Sequence, residues 1–336
     1  MNNTESAQSA HRYQDTATGA YIGDALAMPA HWYYNTTALH QTFGRIDRYL
    51  PPPPGHPDSI LWRSTYAPTD PAYDILGEQR RYWGQRGVHY HQFLSPGENT
   101  LNLKLLRLAL HLVEQDGGYN RERYIAEYMK FMRAPAAHGD TYVEECHRGF
   151  FTNLQAGKKP ARAAVNEKHI GGMVAVLPLY SALCHHGQSD QEARQAVHDH
   201  VSVTHGGQTI AVAVDTLLTI GAELWQGARL RDVLTDHLLR QDLPYLQGPI
   251  QKQTALPPER VLGPVYSTAC YLDGALPGTF YLALRYASDP TEGIIANTMA
   301  GGDNCHRGAV LGALFALDNG VFWVPESWRT GLVRGE

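Results

Sequence analysis

The chain has 336 residues, of which 43% are hydrophobic and 18% are charged. This composition is typical of a globular protein with a large core, and it excludes a mostly disordered or fibrous chain. The formal net charge is -5, and the 28 lysines and arginines form no long basic run, so we expect no nucleic-acid partner. One domain that acts on a small or modified substrate is the simplest interpretation.

The first residues of the sequence lack the apolar core that a secretory signal requires. Residues 1–16 are polar, and no run of about 18 apolar residues that could span a bilayer occurs. We therefore expect a flexible N-terminus over 1–16, a helical domain over 17–336, and a cytoplasmic protein without membrane contact. The four cysteines are far apart in sequence and are expected to be reduced. The sequence does not distinguish a monomer from an oligomer.

A segment rich in proline and aromatic residues precedes the most strongly helical part of the chain. It extends over about 45–92 and contains four consecutive prolines, Pro51 to Pro54, as well as Trp62 and Trp83. Proline lacks a backbone donor and interrupts helices and central strands. We therefore predict an irregular insertion that covers or reshapes a site.

Helical periodicity dominates after this insertion. Apolar residues fall on two faces of the run from Leu101 to Glu114, which predicts a helix that is buried on two sides. Strand patterns are few, so we predict an all-α fold with a single large helical domain. The other periodic segments are Arg121 to Arg133, Met173 to His186, Gln191 to Val203, Thr209 to Trp225, Leu230 to Arg240, Ser267 to Ala287 and Ala309 to Leu317.

The sharpest local feature is the string Gly-Gly-Asp-Asn-Cys-His over 301–306, which leads into a helix of small and apolar residues. Two glycines and the free N–H groups of a helix start favour an anion, so we expect a phosphate near Gly301 and Gly302. Asp303 and His306 lie one helical turn apart and can face one cleft. The alternative is structural, with Asp303 as a helix cap and His306 as a hydrogen-bonded polar side chain.

Cys305 lies in the same string and has two interpretations. A thiol at a helix start beside an imidazole can act as a nucleophile, whereas a small buried residue is the more common role. The string Cys-His-Arg-Gly occurs a second time at 146–149. We interpret this repetition as coincidence, because the surrounding sequences differ.

Two further windows place polar residues beside apolar segments. Asp24 lies in a run of small residues, which predicts a buried carboxylate that needs a hydrogen-bond partner. Glu98, Asn99 and Thr100 precede the leucine-rich helix, where Asn99 or Thr100 would serve as the N-cap. Each of these windows taken alone fits a structural role.

In order along the chain, these windows resemble the ADP-ribosylglycohydrolase family, the all-helical hydrolases that remove ADP-ribose from modified side chains. The resemblance extends from about Thr18 to Leu332. The resembling strings are Gly23-Asp24-Ala25-Leu26 with Pro29, Gly171-Gly172-Met173 with Pro178-Leu179, Thr204-His205, Gly302-Asp303 followed by Gly308-Ala309 and Gly312-Ala313, and Val324-Pro325 with Trp328.

The chain departs from this family at the positions that hold its two Mg²⁺ ions. The resemblance implies acidic ligands at 98, 99, 303 and 305, of which Glu98 and Asp303 remain acidic while Asn99 and Cys305 are not. A frequent glutamate of the family corresponds to His31, and a threonine corresponds to His306. Because Mg²⁺ prefers near-octahedral oxygen ligands, two Mg²⁺ ions are not expected.

Three cofactor states follow from these substitutions. We expect no tightly bound metal. The second alternative is one divalent ion on Glu98 and Asp303, of a transition type if His31, Cys305 or His306 also binds it. Two Mg²⁺ ions as in the family rank last.

The resemblance implies hydrolysis of an N-glycosidic bond of a ribosyl or ADP-ribosyl substrate. Such hydrolysis needs carboxylates and a proton source near the sugar, so we assign catalysis to Glu98, Asp303 and His306. Aromatic residues from Trp32 to Tyr34 would stack on a base. We expect the catalytic residues and Asp24 to converge on one cleft. The substrate-binding candidates are Asp24, His31, Asn99, Gly171, Gly172, Met173, Gly302, Asn304 and Cys305.

Two other functions remain open at this point. One is a catalytically inactive relative that binds ADP-ribose or another nucleotide, or that has a structural role. The other is a glycosidase that acts on a free nucleoside-type metabolite, with the insertion reshaping the cleft. The sequence does not distinguish a protein-linked substrate from a free one.

Overall fold

A computed structural model describes residues 3–134 and 138–334. Helices account for nearly all regular structure in these ranges, which confirms the predicted all-α fold. Two short strands, β1 (Val165–Asn166) and β2 (His205–Gly206), pair in parallel. The α-helices are α1 (Asn3–Ala27), α2 (Thr36–Phe43), α3 (Leu101–Asp116), α4 (Arg121–Arg133), α5 (Glu145–Gln155), α6 (Val176–His185), α7 (Asp190–Val201), α8 (Gln208–Trp225), α9 (Leu230–Arg240), α10 (Ile250–Gln253), α11 (Pro258–Val261), α12 (Leu272–Arg285), α13 (Pro290–Met299), α14 (Asn304–Asn319) and α15 (Glu326–Gly331).

The first helix begins earlier than the sequence suggested. We predicted a flexible segment over 1–16, but α1 begins at Asn3 and residues 1–2 lie outside the described ranges. Tyr13 is buried, and Arg12 donates hydrogen bonds of 2.7 and 2.8 Å to two carbonyls at the C-terminal end of α8. These contacts tie α1 to the rest of the domain, although its first residues are polar and show little helical periodicity.

Helices α1 and α14 pack with their main chains in direct contact. A Cβ atom on Gly23 would lie 2.0 Å from the carbonyl oxygen of Gly308, and one on Gly312 would lie 2.0 Å from that of Gly19. Only glycine permits this approach, because any side chain would overlap the opposite backbone. The contact brings Asp24 next to the N-terminal end of α14.

Helix α3 is buried on both sides, as its pattern predicted. Leu103, Leu106 and Leu110 pack into the main core with α1, α6, α8, α12 and α14. Leu101 and Leu105 pack into a second core with α4 and α5. The polar N-terminal end of α3 is thereby fixed between the two cores, next to α1 and α14.

The proline-rich insertion is irregular, with three short 3₁₀ helices at Leu61–Arg63, Pro71–Tyr73 and Gly77–Tyr82. Its residues Leu61 and Tyr90 pack with Trp32 in a small apolar cluster. Helices α2, α5, α10, α11, α13 and α15 lie outside the segments predicted as helical. Among the described residues, no helix combines the length and the hydropathy that a membrane span requires.

Candidate active site

Asp303 and His306 form a buried pair at the start of α14. Asp303 is fully buried and lies just before the helix, and Nδ1 of His306 lies 2.9 Å from Oδ1 of Asp303. Burial alone would lower the pKa of His306, but the charges of Asp303 and Glu144 outweigh it and raise this pKa to about 10. Burial likewise opposes ionisation of Asp303, yet His306 and His31 hold its pKa well below the usual range. The pair is therefore a carboxylate with an imidazolium.

Glu144 joins this pair from a different helix. It precedes α5, and its Oε1 lies 3.5 Å from Nε2 of His306 and accepts a 2.7 Å hydrogen bond from the amide of Asn102. The amide nitrogen of Asn102 also lies 3.1 Å from Nε2 of His306, so both nitrogens face the carboxylate of Glu144. Burial is the main cause that raises the pKa of Glu144. Sequence reasoning missed both Glu144 and Asn102.

The repeated string that we interpreted as coincidence lies at the starts of the two helices that follow Glu144 and Asp303. Glu-Glu-Cys-His-Arg-Gly at 144–149 and Asp-Asn-Cys-His-Arg-Gly at 303–308 each place an acidic residue as the N-cap of a helix. The two helix starts meet at Asn102, whose Oδ1 lies 3.0 Å from Nε2 of His147. The repetition was thus the sequence signal for Glu144, and a lone asparagine in a leucine-rich helix was the signal for Asn102.

The described contacts of Glu98 do not connect it to this cluster, and its predicted catalytic role stays a prediction. Its carboxylate lies 2.7 Å from Nζ of Lys104 and accepts a hydrogen bond from the backbone N–H of Ser95. The side chain of Glu98 is 25% exposed, whereas that of Asp303 is fully buried. Among the described residues, none of the hydrogen bonds or ion pairs of Glu98 involves Asp303 or His306.

Asp24 has a structural role at the start of α3. It accepts hydrogen bonds from the amide of Asn99, from the backbone N–H of Thr100 and from the hydroxyl of Thr100, at 2.8, 2.9 and 2.6 Å. Burial raises its pKa despite these donors. The predicted substrate-binding residues Asp24 and Asn99 therefore bind each other and connect α1 to α3.

Three of the backbone N–H groups at the expected phosphate site already have partners in the described structure. The backbone N–H groups of Gly301, Gly302 and Asp303 donate to carbonyls of Thr298, Tyr33 and Thr268, at 3.2, 2.7 and 2.8 Å. Donors that already have buried partners cannot bind an anion. The two glycines instead allow the main chains of neighbouring segments to approach closely.

An aromatic cavity of about 290 Å³ opens beside Glu144. Tyr34 and Tyr271, both about half-exposed, lie at this cavity. Trp32, held at a φ of 63°, forms part of the wall, and its backbone N–H donates to Gly302 at 2.7 Å. A positive φ is costly for a bulky residue and is typical of functional sites. The remaining lining residues are Ile60, Arg63, Tyr90, Tyr142, Glu144, Glu145, His169, Ala269 and Cys270.

A second polar group, which the sequence did not reveal, lies on the same cavity. Nδ1 of His169 lies 2.7 Å from Oε2 of Glu167, and the thiol of Cys270 contacts the same imidazole. Burial would lower the pKa of His169, but Cys270 and Glu167 together raise it to about 11. Burial raises the pKa of Cys270, while the hydrogen bond and the charge of His169 oppose this shift.

The predicted substrate-binding residues do not form the wall of this cavity. Gly171 packs against Glu144 and Asn102, and Gly172 packs against the ring of His205. The cavity lining described above includes none of the nine predicted substrate-binding residues. All nine are buried, including His31, Met173, Gly302, Asn304 and Cys305.

Cys305 does not have the environment of a nucleophile. It is fully buried and packs with Ala27, Met28 and Leu94. Burial raises the pKa of its thiol well above the usual value, and Asp24 and Asp303 add to this shift. Because the thiolate is the reactive form, the structural interpretation of Cys305 is the better one.

The donor set does not fit two Mg²⁺ ions. The carboxylate oxygens of Asp303 accept from His31 and His306, and those of Glu98 and Asp24 are engaged elsewhere. His31, Asp303 and His306 offer ligand atoms within 4.8 Å of one another, but two of the three are nitrogens. A single softer ion would have to displace the protons that these nitrogens share with Asp303.

The comparisons with known proteins agree with this fold. The family model described as ADP-ribosylglycohydrolase matches residues 5–336. A solved structure described as an ADP-ribosylglycohydrolase-related protein complex is similar, with a TM-score of 0.57 and 18% identity over 96% of this chain and 93% of that chain. No curated protein matches the sequence. Because the family model covers nearly the whole chain, the protein belongs to the ADP-ribosylglycohydrolase family.

Proposed function

We propose that the protein hydrolyses an N-glycosidic bond of a ribosylated compound in the aromatic cavity, with Glu144 as the proton donor. The observation that carries this proposal is the position of Glu144, which lines the cavity and lies 3.5 Å from the imidazole of His306. Burial raises the pKa of Glu144 while the charge of His306 opposes this shift, and a carboxyl with a raised pKa suits a general acid. Family membership supports a glycohydrolase reaction, and these contacts suggest how this chain performs it.

In the proposed reaction, Glu144 transfers its proton to the departing nitrogen as the C–N bond breaks. The sugar develops oxocarbenium character, and water adds its oxygen to the anomeric carbon. The proton that this water loses returns to the carboxylate of Glu144, so the enzyme is unchanged after one turnover. His306 and Asn102 hold Glu144 in place, and Asp303 orients His306 through Nδ1.

No step of the proposed reaction requires a metal ion. The family resemblance implies carboxylates that hold Mg²⁺ ions, but in this protein the carboxylate of Asp303 accepts hydrogen bonds from two imidazoles. The donor set therefore supports direct carboxylate chemistry better than a pair of hard cations. The metal-free enzyme is thus the cofactor state that we propose.

The size of the cavity favours a compact substrate. Pockets for drug-sized ligands commonly measure about 300–1,000 Å³, and the cavity of about 290 Å³ lies at the lower end. The aromatic side chains Trp32, Tyr34 and Tyr271 offer surfaces for a planar base. We therefore favour a free nucleoside-type metabolite over a whole ADP-ribosyl group on a protein.

The test is hydrolysis of nucleosides, of nucleotides and of an ADP-ribosylated peptide, followed by release of the free sugar. We expect turnover of at least one compound, a loss of about 100-fold or more in Glu144→Gln, and no loss in Glu98→Gln. The Glu98 variant is the matched control because sequence reasoning favoured that carboxylate. Binding of these compounds without any turnover would contradict the proposal and favour a catalytically inactive relative. Equal losses in both variants would contradict the role of Glu144.

A further inference from the structure

Three hydrogen bonds link a buried tyrosine to Glu144. The hydroxyl oxygen of Tyr128 lies 2.9 Å from Nδ1 of His147, and Nε2 of His147 lies 3.0 Å from Oδ1 of Asn102. The amide nitrogen of Asn102 donates a 2.7 Å hydrogen bond to Oε1 of Glu144. Tyr128, His147 and Asn102 are at most 6% exposed, so these side chains bond to one another rather than to bulk water.

These hydrogen bonds connect three helices. Tyr128 lies in α4, His147 in α5 and Asn102 in α3, while Glu144 is the N-cap of α5, one turn before His147. The amide of Asn102 therefore joins two side chains of the same first turn of α5. Phe150 packs edge-on against the ring of Tyr128, with ring centroids 5.2 Å apart, and thereby fixes the position of the hydroxyl group.

The direction of each hydrogen bond follows from the groups that form it. The amide oxygen of Asn102 only accepts, so Nε2 of His147 carries the proton between them. Burial lowers the pKa of His147 well below its usual value, and the charge of His205 adds to this shift, so the ring is neutral and Nδ1 has no proton. Burial raises the pKa of Tyr128, so its hydroxyl keeps the proton and donates it to Nδ1. All three donors thus point toward Glu144.

His147 excludes the opposite orientation of the Asn102 amide. A turned amide would place its oxygen 2.7 Å from Oε1 of Glu144, where two acceptors would meet, and its N–H₂ group against the N–H of His147. In the observed orientation, Oε1 has a donor and also lies 3.5 Å from Nε2 of His306. Among the described residues, none donates a hydrogen bond to Oε2 of Glu144. Because Glu144 lines the aromatic cavity, Oε2 is the oxygen that remains for a substrate.

We propose that His147 and Tyr128 are positioning residues for Glu144. His147 holds the amide of Asn102 with its N–H₂ group toward Oε1, and Tyr128 fixes the tautomer of His147 that does so. Glu144 then presents Oε2 to the departing nitrogen of the substrate. The histidines of the two repeated strings, His147 and His306, contact the oxygen and the nitrogen of this one amide. The effect on turnover rests on the function proposed above, whereas the tautomer of His147 does not.

The first test determines the tautomer of His147 from the ¹⁵N and ¹H signals of its ring in wild-type protein at pH 7. The signals are assigned by their loss in His147→Gln. We expect a neutral ring with its proton on Nε2. A proton on Nδ1, alone or together with one on Nε2, would overturn the proposal whether or not the protein is an enzyme. The expected tautomer in a protein without any turnover would support the positioning of the amide while contradicting the proposed function.

The second test uses Tyr128→Phe, which removes only the hydroxyl that donates to His147. We expect part of the ring population to move its proton from Nε2 to Nδ1, and kcat to fall about 10-fold with little change in KM. The control is Tyr124→Phe, a buried tyrosine in the same helix that lies outside these hydrogen bonds and should leave both readouts unchanged. Wild-type kcat and an unchanged tautomer in Tyr128→Phe would overturn the role of Tyr128.

The third test compares two substitutions of His147. Glutamine places an N–H₂ group where Nε2 of the imidazole lies, whereas leucine fills a similar volume without a donor. We expect His147→Gln to keep most of the wild-type kcat and His147→Leu to lose about 10- to 100-fold. Equal losses in the two variants would overturn the positioning role, because a purely structural role depends on packing and not on the donor. If neither variant folds, Tyr128→Phe and the wild-type spectrum still decide the proposal.

Discussion

Gly23 and Gly308 bring the backbones of α1 and α14 into direct contact, which places the start of α14 beside the start of α3. A Cβ atom on Gly23 would lie 2.0 Å from the carbonyl oxygen of Gly308. The two helices carry different parts of the candidate site, since α1 leads to His31 and α14 begins after Asp303. The close contact of the two helices is therefore a condition for the hydrogen bond between the side chains of His31 and Asp303.

We predict that Gly23→Ala lowers the free energy of unfolding. The added methyl group meets backbone atoms that cannot rotate away, so we expect a loss at or above the range of about 1–3 kcal/mol that overpacking of a core usually costs. Urea unfolding followed by circular dichroism measures it. Gly118→Ala is the control, because its Cβ would meet only the flexible end of Gln188. Equal stability of the two variants would contradict the proposed backbone contact.

A second prediction concerns Asp24, which the sequence suggested as a substrate-binding residue. Asp24→Asn would place an N–H₂ group among donors from Asn99 and Thr100, leaving at least one of them unpaired. We expect a loss of about 1–3 kcal/mol of stability, with kcat of the folded fraction largely unchanged. Asp70→Asn is the control, since asparagine caps the short helix at Pro71 equally well. A selective loss of kcat without destabilisation would restore Asp24 to the substrate site.

The fold could be predicted to a large extent because helical periodicity is a local property of the sequence. The two faces of α3 pack as its leucines indicated. Helix α5 was missed because its apolar residues are few and its first residues are polar, although those residues include Glu144. Helix α1 extends upstream of the predicted boundary because Arg12 and Tyr13 have distant partners, which no local pattern shows.

The site could be predicted only in part, since motifs locate segments and not the directions of side chains. Asp303 and His306 were found because they lie one turn apart on one helix. Glu98 was assigned to the site from its motif, but its carboxylate pairs with Lys104, a contact that no motif shows. The partners Glu144 and His91 come from separate segments, and only the tertiary structure brings them to His306 and His31.

A third prediction follows from the raised pKa of His306. Its pKa is about 10 in the folded protein against 6.5 in an unfolded chain, so the folded state binds the proton more tightly. This contribution to stability is complete below pH 6.5 and is lost as the pH rises toward 10. We expect the unfolding free energy of wild type to fall across this window, and to fall less steeply in His306→Gln. The exposed His111→Gln should keep the wild-type slope, and an unchanged slope in His306→Gln would contradict the ion pair.

The last prediction concerns metal ions, for which this chain differs from its relatives. Both oxygens of Asp303 already accept N–H donors, Asn99 is neutral and Glu98 pairs with Lys104, so two Mg²⁺ ions would lack acidic ligands. We expect dialysis against excess Mg²⁺ followed by elemental analysis to return no bound Mg²⁺, and a chelator to leave turnover unchanged. The triple variant His31→Glu, Asn99→Asp, Cys305→Asp restores the acidic residues that the family resemblance implies, and it should gain Mg²⁺ binding in calorimetry. Two equivalents of Mg²⁺ on the wild-type chain would show that our interpretation of these substitutions is wrong. One equivalent of Zn²⁺ or Fe that is lost in His306→Ala would instead support a single ion on His31, Asp303 and His306.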